Sequence, residues 1–244
     1  MFMIPLSVAL LTLQSAPPGE MYRVELLRAA PGRLLDLIDV LQVRADGYGN
    51  AAGDEQPIVI RHSQGDHWDL MVVQPGGSMS EYFASDKVEA RRLAEGSMAT
   101  GGQTFGERFQ DLVAWREETF FAGPPLDEVR DTLGQAGFFH IEMFIALPGK
   151  GEELHRERVM ENDYLRRLDR RENLVFDRIS GGAWDMMTLG LYRDLLHYAE
   201  SGQVPESRQN EAARAAGFGE ASRIGTYLRE LISRHNDTLG TAVR

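Results

Sequence analysis

Alternating apolar and polar positions mark two stretches of the chain as strands that begin 117 residues apart. Residues 22–33 (YRVELLRAAPGR) and 139–150 (FHIEMFIALPGK) share the spacing of Glu25 and Glu142, and both end in Pro-Gly. A period of two gives each strand two unlike faces. Tyr22, Val24 and Leu26 oppose Arg23, Glu25 and Leu27; Phe139, Ile141, Met143 and Ile145 oppose His140, Glu142 and Phe144. Pro-Gly then closes each strand and opens a helix. In the first half this is predicted over 33–42, with a broad apolar stripe. Its counterpart over 151–170 is far more charged, so it is expected to be exposed on one side or covered by a partner.

Hairpins follow in both halves. Strands at 58–62 and 68–74 flank Ser63-Gln64-Gly65-Asp66, and strands at 174–178 and 184–189 flank Ile179-Ser180-Gly181-Gly182. Gly65/Gly181, Trp68/Trp184, Asp69/Asp185 and Met71/Met187 coincide at a shift of 116. Correspondence at a near-constant offset across most of both halves is the signature of an internal repeat. Helices are predicted near 80–93 and 193–201, then near 105–119 and 220–233. Residues 45–56, rich in Gly, Asn and Asp, read as a mobile loop, and Gly123-Pro124-Pro125 opens a linker.

The repeated β-α-β-β-α order, with its Pro-Gly strand ends and Trp-Asp strand after a Gly turn, resembles the ferredoxin-like dimeric α/β-barrel superfamily. Antibiotic-biosynthesis-monooxygenase-like and NIPSNAP-like domains are among its members. The resemblance implies an α+β fold of two tandem ferredoxin-like α/β-barrel units, their antiparallel sheets packed face to face within one chain. The divisions would be a leader at 1–20, a first repeat at 21–122, a linker at 123–137 and a second repeat at 138–244. The fourth strand of each unit has no clear place, though 136–146 and 123–129 lie where edge elements belong. Cofactor-independent oxygenation or isomerisation of a small apolar or aromatic molecule is the activity that the resemblance implies.

Composition narrows the possibilities. A net charge of −11 argues against a nucleic-acid surface. The absence of Cys excludes thiolate nucleophiles and Cys-based metal sites. All but two of the 26 basic residues are Arg, a bias typical of GC-rich bacterial genomes. Residues 4–13 form an apolar run too short to span a bilayer and of signal-peptide length, followed by Ser15 and Ala16. The pattern predicts a periplasmic or secreted protein without a stable membrane span; the alternative is a cytoplasmic chain that starts at Met21. Self-association is left open.

The apolar strand faces are expected to meet the helices, so the polar faces bring Arg23, Glu25, His140 and Glu142 to a shared interior between the sheets. His140 and Glu142 are then the candidate acid–base pair, with Arg23, Glu25, Trp68 and Trp184 as candidate substrate-binding residues. The alternative is that Arg23–Glu25 and His140–Glu142 merely satisfy one another. Because both halves keep Trp-Asp, those pairs speak first for architecture. His62, His67, His155, His197 and His235 form no metal-binding pair at helical spacing. A metal held by His140, Glu142 and a third ligand is a lesser alternative. No nucleotide-binding glycine loop or nucleophile elbow is present, so no cofactor is expected. Two functional classes stay open: a small-molecule enzyme, and a non-catalytic ligand-binding or assembly module. An enclosed cavity holding His140 and Glu142 would favour the first. A packed interior with both residues in ion pairs would favour the second.

Overall fold

The computed structural model describes residues 20–98, 102–133 and 136–243. The apolar leader lies outside the described residues. In the first half the order is β1 (Glu20–Ala29), α1 (Leu34–Ala52), β2 (Ile58–Gln64), β3 (Leu70–Gly77), α2 (Met79–Tyr82), α3 (Ser85–Ser97), α4 (Phe105–Leu112) and β4 (Val113–Gly123). After α5 (Leu126–Leu133) the second half runs β5 (Phe138–Ala146), α6 (Gly151–Arg167), β6 (Leu174–Gly181), β7 (Met186–Tyr192), α7 (Leu195–Ala199), α8 (Glu206–Ala215), α9 (Ala221–Arg229) and β8 (Ile232–Ala242). No helix among the described residues is long and apolar enough to cross a membrane.

The strands close into one antiparallel barrel in the order β1-β3-β2-β8-β5-β7-β6-β4. Each half supplies four adjacent strands. The two sheets do more than face one another: β2 pairs with β8 and β4 with β6, so their outer edges are hydrogen-bonded across both junctions. Gly65 and Gly181 sit at those junctions with φ of +114° and +87°. A Cβ at Gly181 would lie 2.6 Å from the Glu118 carbonyl oxygen, and one at Gly65 would collide with the Asp237 carbonyl. The glycines keep a positive φ and let the other half's backbone approach.

The Pro-Gly motifs make matching turns. Gly32 and Gly149 have φ of +76° and +77°. Arg33 N donates to Ala30 O and Lys150 N to Leu147 O, both at 2.9 Å. Pro followed by a positive-φ Gly suits the two centre positions of such a turn.

Several expectations need correction. The apolar faces of β1 and β5 point into the barrel, where Val24, Ile141 and Met143 pack with Trp68, Phe176 and Trp184. Leu27 meets Leu37 and Leu41 of α1 on the outer side, and Phe144 meets Leu154 of α6. A closed barrel buries its inner face most completely, so the purely apolar face lines it and the mixed face meets the amphipathic helices. Arg23, Glu25, His140 and Glu142 therefore lie under the helices instead of in a shared interior.

Of the fourth strands, β4 takes over the end of a segment expected to be helical, and β8 lies almost wholly beyond the helix expected near 220–233. Their polar residues, such as Arg116-Glu117-Glu118, mask the strand period, and tertiary pairing decides. Residues 123–129 belong to the connection that includes the start of α5, and most of 136–146 is β5 itself. Residues 45–52 continue α1 where a loop was expected. Tyr48 and Ala52 are buried there, and a Cβ at Gly47 would meet the Met98 side chain at 2.8 Å. Packing thus overrides the low helix propensity of Gly and Asn. The charged helix α6 buries Glu157 and Arg158 as well as Leu154 and Leu165.

Candidate functional site

Two polar clusters occupy equivalent places on the outer barrel face, one under the helices of each half. In the first, Glu25 of β1 stands directly opposite Glu118 of β4. Arg23 and Arg116 flank them two residues away along their own strands, because alternate residues share a face. Arg23 Nε lies 2.6 Å from Glu118 Oε2, and Arg116 NH2 lies 2.9 Å from Glu25 Oε1. Arg44 of α1 adds a contact of 2.6 Å to Glu25. Burial works against the Glu25 charge. Arg44, Arg23 and Arg116 more than offset it and hold the carboxyl below its ordinary range.

The second cluster repeats this lattice with different chemistry. Glu142 of β5 stands opposite Asp237 of β8. His140 and His235 occupy the places of Arg23 and Arg116. His140 Nε2 is 2.9 Å from Asp237 Oδ1, and His235 Nε2 is 3.4 Å from Glu142 Oε1 and 3.5 Å from Asp237 Oδ1. Thr188 of β7, equivalent to Val72 of β3, donates to Glu142 Oε2 at 3.0 Å. Arg158 of α6 approaches the same oxygen at 3.5 Å, but its closer partners are Glu157 at 2.5 Å and Glu161 at 2.6 Å.

Charge balance separates the clusters. In the first, three arginines face Glu25 and Glu118. In the second, among the described residues, one arginine serves Glu142, Glu157 and Glu161, while the ion-pair partners of Asp237 are the two histidines. Burial pushes Glu161 up to about 7; Arg158 pulls it down, and Glu142 and Glu157 reinforce the rise. Burial also raises Glu142, but His235, Arg158 and His140 reverse this and hold it low. Burial disfavours the charged form of His140, yet its contact with Asp237 and the nearby Glu142 raise it overall.

Aromatic rings border the second cluster. The His235 ring stacks on Phe144 at 4.7 Å with an interplanar angle of 7°. Tyr198 of α7 lies 5.6 Å from His140 and 5.0 Å from Tyr192. Tyr192 in turn lines a groove of about 410 Å³ with Arg170, Arg171 and His197. Asp237 is 56% exposed, so the cluster opens to solvent on that side. A separate groove of about 740 Å³ lies at the other end of the half, between the start of α6 and the β6–β7 hairpin.

The six residues singled out from sequence thus divide three ways. Arg23 and Glu25 share the first cluster, and His140 and Glu142 share the second. Trp68 and Trp184 are on the other side of the sheet, within the packed barrel core. Their Asp neighbours play matching backbone roles: Asp69 accepts from Ala29 N at 2.8 Å and Asp185 from Ala146 N at 3.0 Å. Asp185 also meets Arg178 of β6. Sequence reading missed His235, Asp237 and Arg158 as members of the site. The signal was His-x-Glu at 140–142 matched by His-x-Asp at 235–237, hidden because the residues of β8 beyond 233 were assigned to no element.

The fold is that of the ferredoxin-like α/β barrels. An anthrone oxidase-like protein superposes with a TM-score of 0.60 at 12% identity, covering 93% of this chain and 92% of the other. A candidate monooxygenase from Fusobacterium nucleatum gives 0.55 at 8%, covering 93% of each chain. A mutant chlorite dismutase from Candidatus Nitrospira defluvii gives 0.51 at 10%, covering 93% and 92%. At such identities the likeness establishes the fold alone. No family model and no curated protein matches the sequence.

Proposed function

We propose that the chain is a small-molecule enzyme whose working site is the cluster under the helices of the second half. Its reaction is oxygenation or isomerisation of a small apolar or aromatic substrate, and His140 and Glu142 are the residues on which that chemistry depends. One observation carries this reading: two positions held by Arg23 and Arg116 in one half hold His140 and His235 in the other. Arginine stays charged and locks its carboxylates, whereas imidazole can bind, release and ligate. The oxidase-like and monooxygenase names among the structural neighbours agree with this class of reaction. The substrate would enter on the open Asp237 side, past Tyr198 and Tyr192. The order of elements and the shared Gly, Trp-Asp and Pro-Gly positions support an origin by tandem duplication, with units at 21–122 and 138–244 behind an exported leader.

The binding-module reading is favoured by a separate observation: the barrel interior is packed, and His140 and Glu142 both have charged partners. Native mass spectrometry of protein purified from its own host would identify a retained small molecule, whose turnover is then measured. Glu142→Gln should cut that turnover at least about 100-fold, the scale of a lost catalytic group, with little change in melting temperature. Unchanged turnover in that variant would remove the assignment and leave the module.

A further inference from the structure

We propose that His140, Glu142, His235 and Asp237 bind one divalent transition-metal ion. This rests on the reading that the second cluster is the working site, and it recasts His140 and Glu142 as ligands there.

The donor set comes first. Two imidazoles and two carboxylates suit zinc, manganese, iron(II) or cobalt(II) better than calcium or magnesium, which favour oxygen alone. The strands deliver these donors in register: His-x-Glu on β5 and His-x-Asp on β8 put all four on one face, with Glu142 and Asp237 directly opposed.

Spacing is the second argument. Bonds of about 2.0–2.2 Å in a tetrahedral site place donor atoms about 3.4 Å apart. Three of the six donor separations are 2.9, 3.4 and 3.5 Å. Ligand atoms of His140, Glu142 and Asp237 all lie within 4.8 Å of one another. His235 Nε2 is shut off from solvent and completes no hydrogen bond, its near acceptors being Glu142 Oε1 at 3.4 Å and Asp237 Oδ1 at 3.5 Å.

Charge supplies the third argument. Arg158 is the one arginine in contact with Glu142, Glu157 and Glu161, and no arginine contact is recorded for Asp237 among the described residues. Buried carboxylates need compensation, which a divalent cation provides where the first cluster uses arginines. Thr188 and Arg158 hold Glu142 Oε2 from behind and leave Oε1 facing His235, an outer-shell arrangement of the kind that orients metal ligands. The open side at Asp237 leaves room for water or substrate on the ion.

Full-length protein stripped with a chelator would be titrated with Zn²⁺ and Mn²⁺ by calorimetry and with Co²⁺ by visible absorption. One ion per chain is expected. His235→Gln and Asp237→Asn should each weaken binding at least tenfold, with circular dichroism verifying the fold. Asp237→Asn changes an exposed side chain and keeps the test usable if His235→Gln fails to fold. His155→Gln, which alters a histidine paired with Asp177 elsewhere on α6, should leave affinity unchanged. Absence of saturable binding for all three ions, or unaltered affinity in folded Asp237→Asn, would overturn the proposal. Turnover lost in Glu142→Gln in a protein that binds no ion would overturn the metal site and leave the functional reading. Ion binding with turnover indifferent to Glu142→Gln would support the metal site and remove the functional reading.

Discussion

The two outer clusters share a backbone lattice and differ in what they do with it. Glu25 and Glu118 are held by Arg23, Arg44 and Arg116, groups that keep their charge at any ordinary pH. Glu142 and Asp237 are flanked by His140 and His235, which can lose a proton or take a metal. Val72 in one half is Thr188 in the other, which adds a hydrogen bond to the second carboxylate. An opposed carboxylate pair under the helices is tolerated only where something neutralises it. In the second half the histidines share that neutralisation with Arg158.

The largest expected effect separates the clusters by stability. Glu25→Gln strands the nearly buried Arg44 and leaves Arg23 and Arg116 with Glu118 alone, and it should cost about 3–5 kcal/mol in urea unfolding. Glu142→Gln should cost less than about half as much, because Arg158 keeps its closer partners Glu157 and Glu161. Equal losses would show that the second cluster is as structural as the first.

Trp68→Ala and Trp184→Ala probe what the halves have in common. Each should cost about 3–5 kcal/mol, and the two losses should agree within about 1 kcal/mol, since both indoles fill the same packed barrel. A much smaller loss at Trp184 would mean that the second half had surrendered core as well as charge. Gly181→Ala places a Cβ 2.6 Å from the Glu118 carbonyl oxygen at a positive φ. It should cost about 1–3 kcal/mol and, if the junctions are equivalent, Gly65→Ala should do at least as much harm.

The smallest effect is a pH slope. Because the folded state holds Glu25 below its ordinary value of 4.5, the unfolded chain takes up that proton first as pH falls. Its stabilising contribution is complete above that ordinary value and is lost as pH drops through the lower folded-state value. Urea unfolding of the wild type and Glu25→Gln at pH 7 and pH 3 should therefore show a smaller stability gap at the acid pH. A constant gap would mean that Glu25 carries no such linkage.

Much of this architecture was legible in the residues. Pro31-Gly32, Pro148-Gly149, Gly65, Gly181 and the Trp-Asp pairs recur because each meets a local demand of turn, junction or core that a sequence must repeat wherever the geometry repeats. The direction of the strand faces was not legible. Val24 and Glu25 alternate whichever side the helices cover, and only barrel closure decides which face is driest. The fourth strands were hidden because residues such as Glu117 and Asn236 carry no apolar period. With β8 unread, His235 and Asp237 had no reason to join His140 and Glu142. The site was therefore half visible: the pair on β5 stood out, and the pair on β8 waited for the register.

On our proposal the second cluster works while the first only holds. Replacing His140 and His235 together by Arg gives the second half the Arg-x-Glu and Arg-x-Asp pattern of the first. Native mass spectrometry of this double variant beside the wild type, both purified from the original host, tests the claim directly. The account predicts a folded double variant that has lost the ion or small molecule carried by the wild type. A double variant that retains the same bound mass at the same occupancy would contradict it.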